Sequence, residues 1–327
     1  MRRREFIALF GGAAIAWPSA ASSQKTRLVA VLLGLSEQDP EAKARIREFR
    51  LGMRDLEWFE DRNVRIEYRF AGSDMTLINR HVADLVKLEP DVIVANSTPV
   101  LAAFQRVTRT IPIVYAVVND PVGQGFISSP AHPEANITGF SFLELEIVGK
   151  WVGLLREVKP DLSRVVLMFN PDTASYYDRY LRDFKALPQR ALVDIDAAHV
   201  RNISEIDTEI ANLARVPRSA LMLAGDPFIL STRGAILKSA SAHLLPTISP
   251  YRQFVAEGCV MSYGPDTGDI FRRSANYVDR ILKGTSPGNL PAQSPIKFEL
   301  TINFKLAKAL GLSPQASFLL LADHVIE

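Results

Sequence analysis

The chain has 327 residues, 47% of them hydrophobic and 23% charged, so it exceeds one ordinary domain and predicts two compact lobes with real cores. Thirty-eight basic residues against 36 acidic ones leave a formal charge of +2, which gives no global basic field for nucleic acid. The single cysteine, Cys259, excludes an intramolecular disulfide framework and a cysteine-based zinc site.

The start of the chain reads as an address. Arg2-Arg3-Arg4-Glu5 precedes Phe6-Ile7, an apolar small-residue run covers 8–16, and 17–24 is rich in Ala and Ser. A charged start, an apolar middle and a small-residue cleavage region form an export signal. Arg3-Arg4 with Phe6 resembles the twin-arginine type, which a receptor reads. The apolar run is shorter than the ~20 residues a membrane-spanning helix needs. Cleavage is expected near Ser23, which makes 1–23 the signal peptide. Its loss removes three arginines and one glutamate and leaves 35 basic and 35 acidic residues. No later apolar stretch is long enough to span a bilayer, so the mature chain is expected in the bacterial periplasm.

From residue 27 onward, short β-branched runs alternate with stretches of helical period, the pattern of parallel sheets covered on both faces. The predicted strands are 28–33, 64–70, 92–95, 111–118, 165–169, 191–195, 220–224 and 247–248. A helix over 42–58 spaces Ile46, Phe49, Met53 and Leu56 by three and four. Others are predicted over 143–158 and over 269–282, where Ile270, Ser274, Val278 and Ile281 share a face. Residues 64–70 and 296–302 alternate strictly and predict half-exposed edge strands. No segment reads as a flexible linker, so ordered crossings must join the lobes, the first near 136–142.

Small polar residues stand beside proline at the ends of these runs: Asn96-Ser97-Thr98-Pro99, Asn119-Asp120-Pro121, Asn170-Pro171-Asp172, Gly225-Asp226-Pro227, Ser249-Pro250 and Tyr263-Gly264-Pro265-Asp266. Such residues cap helices, because their side chains accept from free amides and proline needs no partner at the first helical position. Each is explained by capping alone. Collectively they mark the carboxyl ends of parallel strands, where a ligand crevice forms.

Motifs for other chemistry are missing from the sequence. His81, His132, His199, His243 and His324 have no metal-ligand spacing, so no metal and no cofactor are expected. There is no GxSxG elbow and no phosphate loop, and Gly123-Gln124-Gly125 lacks the third glycine of a dinucleotide fingerprint. Asp120 and Asp226 leave two readings open, an acid/base pair or ligand binding, with binding favoured and no catalytic residue assigned. Cys259, in an apolar run, is expected to pack. Arg272-Arg273 is expected on a solvated helix face, and Tyr176-Tyr177 to pack or to reach the crevice.

The order of these motifs resembles the ABC-transporter substrate-binding proteins of the tryptophan-binding type. The resemblance is carried by the twin-arginine start, Asn96-Ser97-Thr98-Pro99, Asp120-Pro121-Val122, Asn136-Ile137-Thr138-Gly139, Gly225-Asp226-Pro227, Met261-Ser262-Tyr263-Gly264 and Arg272-Arg273. Tyr277 to Gly284, Lys297-Phe298-Glu299-Leu300 and the ending Ala322 to Glu327 complete it. His132-Pro133-Glu134 and a short stretch at 187–189 depart from the family pattern.

The resemblance implies a type I periplasmic binding protein: an α/β clamp of two Rossmann-like lobes with three crossings. Lobe 1 is then approximately 27–142 plus 262–292, and lobe 2 approximately 143–261 plus 293–327. The expected ligand contacts are Ser36, Ser97, Thr98, Asp120, Ser141, Asn170, Asp226 and Tyr263, with Phe228 and Tyr251 for apolar or stacking contact. Asp120 or Asp226 would bind an amino acid's ammonium, and Ser97 and Thr98 with a helix N-terminus its carboxylate. The expected protein is a monomer, not an enzyme and not a nucleic-acid binder, that hands a small molecule, an aromatic or branched amino acid, to an inner-membrane permease. A ligand sensor acting on a membrane kinase and an enzyme on the same fold are the alternatives.

Overall fold

The computed structural model describes residues 26–60, 62–133, 136–186 and 193–327. The expected signal, Glu134 and the 187–189 stretch lie outside the described residues.

The first sheet takes β1 (Arg27–Leu33), β2 (Val64–Phe70), β3 (Val92–Asn96), β4 (Ile113–Val118) and β5 (Ile137–Ser141) in the order β2-β1-β3-β4-β5. All pairs are parallel, as apolar runs such as Val29 to Leu33, buried on both faces, require. The connecting helices are α1 (Pro40–Asp55), α2 (Met75–Lys87) and α3 (Thr98–Val107). The Asp39 carboxylate accepts the Glu41 amide at 2.8 Å with Pro40 opening α1, so this helix starts two residues before the expected 42. It ends at Asp55, because Glu57 turns to a positive φ of 65°.

The second sheet is built by α4 (Glu146–Val158), β6 (Arg164–Phe169), α5 (Pro171–Ala174), α6 (Tyr176–Ala186), β7 (Asp194–His199), α7 (Ile203–Ala214), β8 (Ser219–Leu223), α8 (Pro227–Ala242), β9 (Thr247–Ser249), α9 (Gln253–Ala256) and β10 (Met261–Pro265). Helix α10 (Thr267–Leu282) then packs on α1 in the first lobe. The chain returns to the second sheet through β11 (Phe298–Asn303), α11 (Phe304–Ala309), α12 (Ala316–Leu319) and β12 (His324–Ile326), giving the order β12-β11-β10-β9-β8-β6-β7.

The chain thus crosses between lobes after β5, after β10 and before β11, and the crossings lie side by side. The Ser141 amide donates to the Gln293 carbonyl at 2.9 Å, and the Asp266 amide to the Lys297 carbonyl at 3.2 Å. Close approach here needs glycine: a Cβ on Gly139, whose φ is +152°, would lie 2.1 Å from the Tyr115 carbonyl oxygen, and one on Gly264 would lie 2.2 Å from that of Pro250.

Three expectations need correction. Of the strand expected over 191–195, residues 191–192 lie outside the described residues, and the described strand is Asp194–His199, which runs four residues further than expected. It is an edge strand whose Asp194 and Asp196 pair with Arg164, so its polar face hid it from a search for apolar runs. The 296–302 segment is not an edge strand, because β11 pairs antiparallel with β10 and parallel with β12. A lobe boundary at 262 falls inside β10, all of which pairs with β11 in the second sheet.

Candidate functional site

The carboxyl ends of the strands in the two sheets face each other, and the polar junctions meet there. Strand β3 ends at Asn96, whose side-chain Nδ2 donates to the Ala116 carbonyl at 3.1 Å. Ser97 follows with φ +84°, a left-handed conformation that costs a non-glycine residue about 1–3 kcal/mol. It caps α3 without a side-chain hydrogen bond. Its hydroxyl is buried with no partner among the described residues. The Ser97 Oγ is directed toward Gly34 at the end of β1, where Pro227 of the second lobe also approaches. An unfilled hydroxyl at the positive end of a helix suits an anion.

Beside it, a β-bulge shifts the β4–β5 register between Ala116 and Val118. Val117 takes φ +60° and Asp120 φ +44°. The bulge turns Asn119 across the crevice. Its Nδ2 donates to the Tyr176 hydroxyl at 2.7 Å and the Gly225 carbonyl at 3.1 Å, and its Oδ1 accepts the Leu143 amide at 3.0 Å. The Asn119 amide donates to the Thr98 hydroxyl at 3.2 Å. One buried asparagine therefore joins α3, β4 and the second lobe.

The opposing wall is fully hydrogen-bonded. Asp226 is fully buried and caps α8 through the Phe228 amide at 2.9 Å. Its carboxylate also accepts the Asn170 amide at 2.8 Å and the Thr173 hydroxyl at 2.8 Å. Burial pushes its pKa up to about 6, and those three donors hold it down against that. Asn170 caps α5 through the Asp172 amide at 2.8 Å. Burial also raises the Tyr176 and Tyr177 phenols well above their ordinary range. Both stay protonated, and the Tyr177 hydroxyl accepts the Gly225 amide at 2.8 Å.

Ion pairs close the crevice at both ends. Arg233 of α8 reaches Asp39 at 2.7 Å and Glu257 at 2.9 Å, with the Arg233 and Asp39 side chains 12% and 8% exposed. At the other end Arg179 of α6 pairs with Asp120 and donates to the Gly123 carbonyl at 2.9 Å. Behind the crevice, buried Arg45 of α1 holds Glu41 at 2.9 Å and lies 5.9 Å from the Tyr251 ring of the second lobe.

Of the expected contacts, the structure brings Ser97, Thr98, Asn170 and Asp226 together, with Phe228 half-buried at the start of α8. Ser36 is exposed in the β1–α1 loop. Tyr251 is shut in, stacked 5.4 Å from Phe142 and tilted against Phe254. Ser141 and Tyr263 sit at the crossings, Tyr263 stacked 5.6 Å from Phe298. The Asp120 and Asp226 carboxylates, expected to bind an ammonium, are instead engaged by Arg179 and by three protein donors. Nor does Asn119-Asp120-Pro121 open a helix; it opens a turn. Tyr176, expected either to pack or to reach the crevice, does both, whereas sequence reasoning missed Asn119, Arg179 and Arg233. Asn119 stood in a quoted junction, but the bulge that aims it has no sequence signature. Cys259 packs as expected, buried with its thiol pushed up to about 12.

Among the described residues no cluster of His, Cys, Asp and Glu is placed to hold a metal ion, and no helix is long and apolar enough to cross a membrane. What remains is a two-lobed α/β clamp with a capped, ion-paired crevice and three adjacent hinges. Residues 29–326 match the family model of the ABC transporter substrate binding protein, and the chain belongs to that family. A tyrosine-binding protein of Clostridioides difficile is 24% identical over 86% of this chain and 81% of its own length. A Streptococcus pneumoniae domain solved with L-Trp superimposes with a TM-score of 0.84 at 21% identity, covering 92% of this chain and all of that one. A ligand-free, open substrate-binding protein with adhesive properties from Clostridium difficile gives 0.66 at 20% identity, covering 92% and 99%.

Fold and family therefore stand as the sequence resemblance implied. Membership makes this a solute-binding receptor with a small-molecule ligand and an ABC transporter partner. The relatives are binding proteins, and such proteins typically work outside the cytoplasmic membrane.

Proposed function

We propose that the chain is exported through a twin-arginine signal cleaved near Ser23 and works as a monomer in the periplasm. There it captures an aromatic amino acid and delivers it to an inner-membrane permease. The observation that carries the ligand class is the Ser97 hydroxyl, buried without a partner among the described residues at the N-terminus of α3. A carboxylate there would accept from Ser97 and the first amides of the helix. Thr98 belongs to the same wall, and Phe228 with Ser36 offers contact from the two lobes. Asn170 and Asp226 act as the frame that holds α5 and α8 in place. The tyrosine-binding and L-Trp-bound relatives support an aromatic side chain. The higher TM-score against the L-Trp complex than against the open receptor supports a closed setting of the lobes.

Closure is favoured when ligand contacts both walls, because only the closed state makes both sets. The Arg233–Asp39 and Arg179–Asp120 pairs then act as clasps, formed only when the lobes meet. The test is a thermal-shift screen of residues 24–327, refolded to remove copurified ligand, against amino acids, organic acids and sugars. At a concentration of ~100 Kd a ligand adds about 2.7 kcal/mol, a shift of several degrees. An upward shift confined to Trp, Tyr or Phe supports the reading. A flat response to every amino acid overturns it.

A further inference from the structure

A cavity of about 760 Å³ runs along the outer flank of the first lobe, between α1 and the edge strand β2. Neither the crevice nor the hinges use it. Its rim carries Lys43, Arg47, Arg50 and Arg54, spaced four, three and four along α1, so one stripe of the helix presents four cations. All four are exposed. Arg47 pairs with its chain neighbour Glu48, and Arg50 with Glu60 at 2.7 Å. Lys43 and Arg54 have no ion-pair partner among the described residues. Among the described residues, the only carboxylates lining the cavity are Glu37 and Glu60.

Beneath the rim lies an apolar floor. The alternation of β2 puts Ile66, Tyr68 and Phe70 on one face, while Arg65, Glu67 and Arg69 pair among themselves on the other. Tyr68, Phe70 and Trp58 pack against the core on one side and stay half-exposed in the cavity on the other. The floor is fixed: the Trp58 Nε1 donates to Asp279 at 2.8 Å, and the Arg50 guanidinium lies 4.9 Å over the Tyr68 ring. The groove starts at Glu37, in the loop that leads from the crevice into α1.

We propose that this groove docks an acidic, apolar-bearing segment of the ABC transporter's membrane domain, exposed on the receptor's side. The inference rests on the receptor reading above. Four cations facing two carboxylates favour an acidic partner, and aromatic rings recessed below them favour apolar side chains that enter from it. A flat lipid surface would meet the cations and leave the recessed rings unfilled.

The test uses the mature chain, its transporter in zwitterionic nanodiscs, and the variants K43E/R47E/R54E and K43Q/R47Q/R54Q. Arg50, which supports Tyr68, is left in place. The expected result is docking weakened about tenfold or more by charge reversal and less by neutralisation. Wild-type docking should fall as salt rises, and the salt dependence should flatten in both variants. The ligand-induced thermal shift should be unchanged in each. Equal docking by wild type and the charge-reversed variant overturns the inference alone. So does a loss confined to binding of phosphatidylglycerol vesicles, which would assign the stripe to lipid. Failure of the wild type to dock at all overturns the receptor reading and this inference with it.

Discussion

The two walls of the crevice are built from the same kind of junction and end in opposite states. On the second lobe Asn170 and Asp226 cap their helices with every carboxylate oxygen engaged. On the first lobe Ser97 stands at the N-cap of α3 with no side-chain hydrogen bond, holds a strained φ of +84° and leaves its hydroxyl without a partner among the described residues. A filled cap stabilises the fold, whereas an empty one stores a binding group. The difference suggests that the second wall supplies rigidity and the first supplies recognition, and substitution can pull these roles apart.

The largest effect should come from the satisfied wall. Asp226→Ala removes the cap of α8, leaves the Asn170 amide without its acceptor and leaves the Thr173 hydroxyl only the long 3.4 Å contact to the Asn170 carbonyl. We expect a loss of about 3 kcal/mol of stability, measured by urea unfolding. If the variant unfolds at the wild-type midpoint, Asp226 is not part of the frame.

The same residue predicts a pH dependence. Its folded pKa of about 6 lies above the ordinary 3.8, so between those values the native state binds the proton more tightly than the unfolded chain. Its contribution is therefore fully present below about 4 and lost as pH rises through about 6, an effect of about 2–3 kcal/mol. Unfolding of wild type and Asp226→Asn across pH 4–7 isolates it, since the variant should lack this component. Identical pH profiles would show that the carboxylate does not titrate there.

How much of this contrast the sequence reveals depends on what makes each feature. The junctions were legible because Asn, Asp and Pro at strand ends have local chemistry that repeats. The two lobes and their crossings followed from alternating periodicity and from the order of motifs. Whether a cap is filled is set by atoms distant in the chain: Asp226 meets Asn170 only because β6 and β8 pair in register. Asn119 crosses the crevice because of a bulge at Val117, an apolar residue in an apolar strand. The arginine clasps were hidden for the same reason. Nothing near Arg233 in sequence identifies Asp39, 194 residues away, as its partner.

Those clasps give the next prediction. Arg233→Met keeps most of the apolar stem and removes the charge that reaches Asp39 and Glu257. Because the pair forms across the lobes, the closed state should lose more than the fold does. We expect ligand affinity to drop by about tenfold with a smaller change in melting temperature of the free protein. Calorimetric titration with the ligand found by the screen measures it. A melting temperature that falls while affinity holds would place the pair in the fold and not in closure.

The smallest effect is also the most diagnostic, because its two parts have opposite signs. Ser97→Gly replaces a residue in left-handed backbone with the one residue that adopts it freely, and it deletes a buried hydroxyl that has no partner among the described residues. Relief of that strain should raise stability by about 1 kcal/mol. If the hydroxyl serves the ligand's carboxylate, the same variant should lose about 1 kcal/mol of binding, roughly fivefold in Kd. An amide analogue of the ligand, which lacks the carboxylate, should bind wild type and variant alike. A variant that is more stable and binds worse, only for the acid, would locate recognition on the first wall. Equal losses for acid and amide would instead mean that Ser97 shapes the crevice without reading the charge.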